Sequence, residues 1–269
     1  MSPRTRPVAD ESADGGSATI ATVERAADVL LLFAEAPGPD LGVTEIADAL
    51  GLSKAAVHRV LASLRGRDLV AFDEHSRRYS LGVAVMRLGL AYLDRSDVRA
   101  AARPHLEELS ARTDETATLS VLLGEHTRIY VDQVTPDREV IMAVTLGEPY
   151  PLHAGASSRA FLAFLPEEDV NAYLERGTLD ALTRSTVVGA DALREDLAVV
   201  RAQGWAQSSG ERMDGAASVA APVLGHDGLP VAVVSVCGPA ERFARTLDEC
   251  REALLETTTT LSRRFGWTG

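Results

Sequence analysis

Three groups of residues have types and spacings that chemistry can use. The first lies within 43–61 (VTEIADALGLSKAAVHRVL), where Lys54, His58 and Arg59 recur near Ala55 and Ser63. Residues three and four apart share one side of a helix, so this set predicts a cationic edge with short side chains between the long ones. Such an edge suits a duplex groove, because short residues let the backbone approach base edges while cations reach phosphate or guanine. The second group is His153-Ala-Gly-Ala-Ser157-Ser158, small residues that open an apolar segment. Free amides at a helix start can hold a carboxylate, yet a plain cap with close packing accounts for the same residues equally well. The third group is Cys237 and Cys250, spaced as neither a metal nor a redox pair, which predicts two free thiols.

An enzyme reading can be drawn from His153, Ser157 and some carboxylate as base, nucleophile and orienting group. Nothing else in the chain supports it. The sequence contains no Gly-x-Ser-x-Gly elbow, phosphate-binding loop, His-Glu-x-x-His or paired-cysteine metal pattern. The expectation is therefore no catalytic residue, no cofactor and no metal, with His153 a hydrogen-bonded structural histidine.

The elements that must position the cationic edge are legible around it. Val23, Ala26, Leu30 and Phe33 follow helical spacing from Thr22, and Pro-Gly-Pro-Asp at 37–40 ends that helix. A short helix over 44–50 precedes a longer one over 54–65, for which Ser53 is the natural N-cap. Ala47 is small where two helices must touch, and Gly51 can take the positive φ of a tight turn. Val57, Val60, Leu61 and Leu64 form the stripe that anchors the second helix. Two strands, 69–72 and 77–81, flank the polar 73–76 and predict a hairpin whose tip carries Arg77 and Arg78 toward phosphate backbone or minor groove. The candidate DNA-contacting set is thus Ser53, Lys54, Ala55, His58, Arg59, Arg77 and Arg78. The alternative is a small helical domain whose charges are only a solvated face. Two facts weigh against it: Lys54 is the sole lysine of the chain, and 51–87 carries a net charge of +4 within a protein of net charge −12. Non-specific affinity for a polyanion comes largely from such local cations.

The rest of the chain reads as a second folding unit. Residues 83–93 (VAVMRLGLAYL) are apolar almost all round, which predicts a linker helix buried between subunits or domains. A polar-faced helix follows to about 112, with Pro104 as a kink. Strands are expected near 117–123, 128–134, 139–145, 205–208, 218–224 and 230–237. Helices are expected near 158–164, 167–176, 191–203 and 246–265. The fold class is α+β: a winged helix-turn-helix over 21–82 behind a mobile tail over 1–20, a linker helix over 83–97, and a mixed α/β sensor domain over 98–269 with a largely antiparallel sheet. The 269 residues, 46% of them apolar and 25% charged, suffice for two cores. No apolar run approaches the roughly 18 residues of a membrane span, so a cytoplasmic location is expected.

Four ordered segments carry a resemblance to a known family: TEIADALGLSKAAVHRVLASL, RRYSLG, PLHAGASSRAFLAFLP and VVSVCGP. Together they resemble the IclR family of bacterial transcription regulators over nearly everything after residue 20. The resemblance implies a GAF-like effector domain and a homodimer joined through the N-terminal domains and linker helix, often paired again into a tetramer. It also implies double-stranded DNA with a pseudo-palindromic operator as partner, and an effector pocket built from Met142, Ala156, Ser157, Ser208, Ser218, Ser235 and Cys237. One departure alters that pocket: the family pattern runs from a Glu, here Glu211, across six residues to a Cys, and this chain has Ser218 at that last position. A C-terminal half that only oligomerises is the competing reading.

Overall fold

The computed structural model describes residues 20–269 apart from 96, 125, 177 and 178, so the expected tail over 1–20 lies almost wholly outside the described residues. Two compact units emerge, Met1–Leu93 and Asp94–Gly269.

In the first unit, α1 (Ala21–Glu35), β1 (Asp40–Leu41), α2 (Val43–Leu50), α3 (Lys54–Arg65), β2 (Val70–Phe72) and β3 (Tyr79–Leu81) follow in order. The strands form an antiparallel sheet of order β1-β3-β2, with Asp40 opposite Ser80 and Phe72 opposite Tyr79. β1 was not expected from sequence, since two residues are too short to show a period. Val29 and Phe33 of α1, Ile46 and Ala47 of α2, and Val57, Val60, Leu61 and Leu64 of α3 close one core with Val70. Each helix contributes one apolar stripe to it, as amphipathic spacing requires. α4 (Val83–Arg95) starts after Gly82 and runs across the boundary between the units.

The second unit contains α5 (Asp97–Thr113), β4 (Thr116–Leu123), β5 (Thr127–Val134), β6 (Pro149–Pro151), α6 (Ala156–Leu162), α7 (Glu167–Arg176), α8 (Ala190–Gln203), β7 (Ala206–Ser209), β8 (Ala216–Leu224), β9 (Pro230–Pro239) and α9 (Ala240–Arg264). Six strands pair antiparallel in the order β6-β5-β4-β9-β8-β7. Side chains alternate across the strands. Val219, Ala221, Val223, Val234 and Val236 turn toward α5 and α9, while Ala206, Ala220 and Val233 join the core under α6 and α8. Pro104 lies inside α5 rather than ending it.

The strand expected over 139–145 is not formed. Residues 139–145 are irregular, and at Val144 the Gln133 side chain takes the backbone bonds a ladder would use: its Nε2 donates to Val144 O at 2.9 Å, and Val144 N–H donates to its Oε1 at 3.0 Å. The edge strand is β6 instead, in register with β5 through Arg128 and Tyr150.

Candidate functional site

Ser53 opens α3 as expected, its Oγ accepting from Ala56 N–H at 3.2 Å. Gly51 adopts φ 62°, and Leu52 N–H returns to Ala47 O at 2.9 Å, which closes the tight turn between α2 and α3. The anchoring stripe is complete: Val57 and Leu61 are fully buried, and Val60 and Leu64 nearly so. The opposite side of α3 presents Lys54, Ala55, His58 and Arg59 exposed. Among the described residues, no salt bridge involves Lys54, His58 or Arg59.

The hairpin between β2 and β3 is built on Asp73. His75 N–H donates to its Oδ1 at 2.8 Å, and Ser76 Oγ donates to its Oδ2 at 2.9 Å. Arg77 is exposed with its guanidinium over the Phe72 ring. Arg78 departs from expectation. Its guanidinium pairs with Asp40 and also donates to Glu45 Oε2 at 2.7 Å, so it fastens the wing to β1 and α2 instead of reaching outward. Sequence spacing could not show this, because its two carboxylate partners lie 38 and 33 residues away.

In the second unit a small cavity is lined by six of the seven expected effector residues: Met142, Ala156, Ser157, Ser208, Ser218 and Cys237. Strand register brings them together, since Ser218 lies directly opposite Ser208 on β7 and Cys237 on β9. Ser235 is the exception. It stands on the same face two residues along β9, opposite Ala220 and Thr118, and its Oγ shares a 2.6 Å hydrogen bond with Thr118 Oγ1. That row is filled, and Ser235 is buried outside the cavity lining. Cys237 is a free thiol whose pKa burial pushes up to about 12, which keeps it protonated.

The carboxylate anticipated beside Gly155 is supplied by the chain itself. Gly155 N–H donates to Glu211 Oε2 at 3.1 Å, and Arg159 Nη2 donates to Glu211 Oε1 at 2.7 Å. Arg159 is buried and also meets Asp196 at 2.5 Å. Burial raises the Glu211 pKa, opposed by the Arg159 charge and the Gly155 amide. His153 is likewise committed, Nδ1 to the Tyr173 hydroxyl at 3.0 Å and Nε2 to Asp180 O at 2.9 Å, so no histidine–serine pair with Ser157 is assembled.

The polar wall of the cavity comes from residues that sequence reasoning missed. Arg128 is buried; its Nε donates to Ser158 Oγ at 2.8 Å and its Nη2 to the Tyr130 hydroxyl at 3.1 Å, while its Nη1 has no partner. Its guanidinium lies 4.4 Å from the Tyr130 ring centroid, and that of Arg212 lies 4.4 Å from the Tyr150 centroid. A signal existed in TRIYVDQV, where the period of two sets Arg128 and Tyr130 on one face of the strand.

Comparisons with known proteins agree over both units. Residues 22–74 match the IclR helix-turn-helix domain, and residues 90–263 match the bacterial transcriptional regulator IclR C-terminal family. The chain is 30% identical to the HTH-type transcriptional regulator KipR of Bacillus subtilis over 92% of its own length and 98% of the relative's. It superposes with a TM-score of 0.83 on an IclR transcriptional regulator from Alicyclobacillus acidocaldarius, at 32% identity, covering 91% of this chain and 99% of that one. An IclR homolog from Microbacterium hydrocarbonoxydans, complexed with 4-hydroxybenzoate, shares the fold at 23% identity with a TM-score of 0.77, over 89% of this chain and 98% of that one.

Proposed function

The chain belongs to the IclR family of transcription regulators, and from that premise we propose that it binds a pseudo-palindromic operator as a homodimer under the control of a small organic acid. The matched relatives are regulators, not enzymes. One observation carries the DNA reading: α3 is anchored by a wholly aliphatic buried side while Lys54, His58 and Arg59 stand exposed on the other, in no salt bridge among the described residues. A helix held in this way can be laid in a major groove without disturbing its own core. Ser53 and Ala55 at the start of α3 come near base edges, and Arg77 of the wing meets the adjacent backbone. Arg78 acts indirectly, by holding the wing to α2.

The effector reading is supported by a cavity that gathers hydroxyls, a thiol and arginines at one end of a rigid sheet, a preformed concave site with few convergent polar groups. The domain division follows: residues 21–82 read DNA, 83–97 link, and 98–269 sense. Effector binding that favours one arrangement of two recognition helices changes operator affinity by the difference in its affinity for the two states. Among the described residues no helix is long and apolar enough to cross a membrane, which accords with a regulator acting in the cytoplasm.

The test is a mobility shift with DNA from the protein's own promoter region, repeated across a panel of metabolic acids. Specific retention that one acid releases or tightens is the expected result. Retention unaffected by every acid, with an unchanged melting temperature, favours a C-terminal half that only oligomerises.

A further inference from the structure

Arg128 is among the largest fully buried side chains of the described residues, and among those residues no salt bridge involves it. Its Nη1 is buried with no hydrogen bond, and its other nitrogens meet only the neutral hydroxyls of Ser158 and Tyr130. Arg212 adds a second positive charge: both guanidinium carbons lie within 5.3 Å of the Tyr150 ring centroid. Glu211 neutralises neither, because its two oxygens are held by Gly155 and Arg159. Two cations stacked on one tyrosine pair repel each other, and burial further disfavours the charge on Arg128. An arrangement so costly is retained where something else answers the charge.

We propose that the cavity between Arg128 and Arg212 binds a compact dianion, a short dicarboxylate or a phosphate group; this deepens the effector reading above and rests on it. Two cations and a lining whose only carboxylate, Glu211, is already held call for two negative charges, since a monoanion answers only one. Guanidinium forks match carboxylate and phosphate oxygens in a way that neutral ligands do not. The interior volume of about 40 Å³ is small, which favours a compact ligand, and the choice between a dianion and a monoanion such as benzoate rests on the two charges rather than on size. Ser157 and Ser218 line the same cavity and supply hydroxyls to the remaining oxygens.

The test is thermal melting of the full chain at fixed ionic strength with malonate, succinate, inorganic phosphate, benzoate or neutral malonamide. The dianions are expected to raise Tm saturably, by about 5 °C at roughly a hundred times Kd, and benzoate and malonamide to leave it unchanged. Stronger stabilisation by phosphate than by the diacids assigns a phosphoryl ligand, and the reverse assigns a dicarboxylate. Equal stabilisation by malonamide or benzoate, or none by any dianion, overturns the proposal. Arg128→Met is expected to melt no lower than the parent without ligand and to lose the dianion response at least tenfold. A lower melting point combined with an undiminished response makes Arg128 a structural strut and overturns it. Arg128→Lys, which keeps the charge, is expected to retain a weakened response, so the test stands if the methionine variant fails to fold. Dianion binding that leaves operator affinity unchanged overturns the effector reading alone. Operator control by an uncharged ligand, with no dianion response, overturns the dianion site alone.

Discussion

Lys54, His58 and Arg59 share an exposed side of α3 but not a role. Arg59 is long enough to reach guanine in a fork, and under the proposed docking of α3 its truncation removes a base contact. Arg59→Ala is expected to weaken specific operator binding by about 1–3 kcal/mol and to relax discrimination at one base position, as read by anisotropy titrations on operator variants. Lys54, a point charge in the first turn, suits phosphate, so Lys54→Ala should lower affinity for all sequences nearly uniformly. Equal affinities of the parent and Arg59→Ala for the operator would remove α3 from the interface. Arg78 acts through the support of the wing. Its ion pairs with Asp40 and Glu45 place it inside the wing's support, so Arg78→Ala acts by loosening β1, β3 and α2.

At the scale of elements, the winged unit depends on two close fits. Leu61 is fully buried where α3 meets α1 and α2, and Leu61→Ala should cost about 2–5 kcal/mol, seen as a fall in the denaturant midpoint. Gly82 joins β3 to α4 at a point where an added Cβ would lie 2.1 Å from the Asp68 carbonyl oxygen. Backbone cannot yield as a flexible side chain does, so Gly82→Ala is expected to destabilise by about 3 kcal/mol and to displace the wing. A variant melting within 1 °C of the parent would refute that close approach. Glu45 gives the unit a pH dependence. The Gly42 amide, and after it Arg78, hold its carboxylate below the usual glutamate range. A depressed pKa contributes stability above the ordinary value of about 4.3 and loses it as pH falls through the folded value. Glu45→Gln should therefore flatten the acid limb of the Tm-versus-pH curve below about pH 4.5, and an unchanged limb would contradict the assignment.

For the whole molecule, net charge and local charge act in opposite senses. The chain carries −12, so its bulk is repelled by DNA, and attraction is confined to the stretch around α3 and the wing. This polarises approach, and operator affinity should fall steeply with salt. In a dimer that engages two copies of α3, Lys54→Ala should reduce the slope of log K against log salt by roughly two. A reduction near one would mean a single engaged copy. Val83, Met86 and Leu88 of α4 are exposed in the single chain, an apolar run suited to a symmetric interface. Met86→Glu is expected to shift sedimentation toward the monomer and to weaken operator binding with it. A variant that still sediments as the parent does would move the interface elsewhere.

Local patterns were enough for the DNA-reading unit. Ser53 as cap, Gly51 as turn and Val57, Val60, Leu61 and Leu64 as stripe are all relations between residues a few positions apart, and helices are built from such relations. Resemblance of motifs extended this to the family and pointed to seven residues, six of which the structure places along one cavity whose lining also includes residues the motifs do not name. The rest depended on contacts between distant positions. Gln133 reaches Val144 and replaces an expected strand, Thr118 fills the row where Ser235 stands, and Asp40 and Glu45 capture Arg78. Glu211 accepts from the Gly155 amide and from Arg159, and among the described residues Arg128 Nη1 is buried without a hydrogen-bond partner. Whether a polar side chain is free or already satisfied is set by what the fold packs against it, and that partner can lie anywhere along the chain.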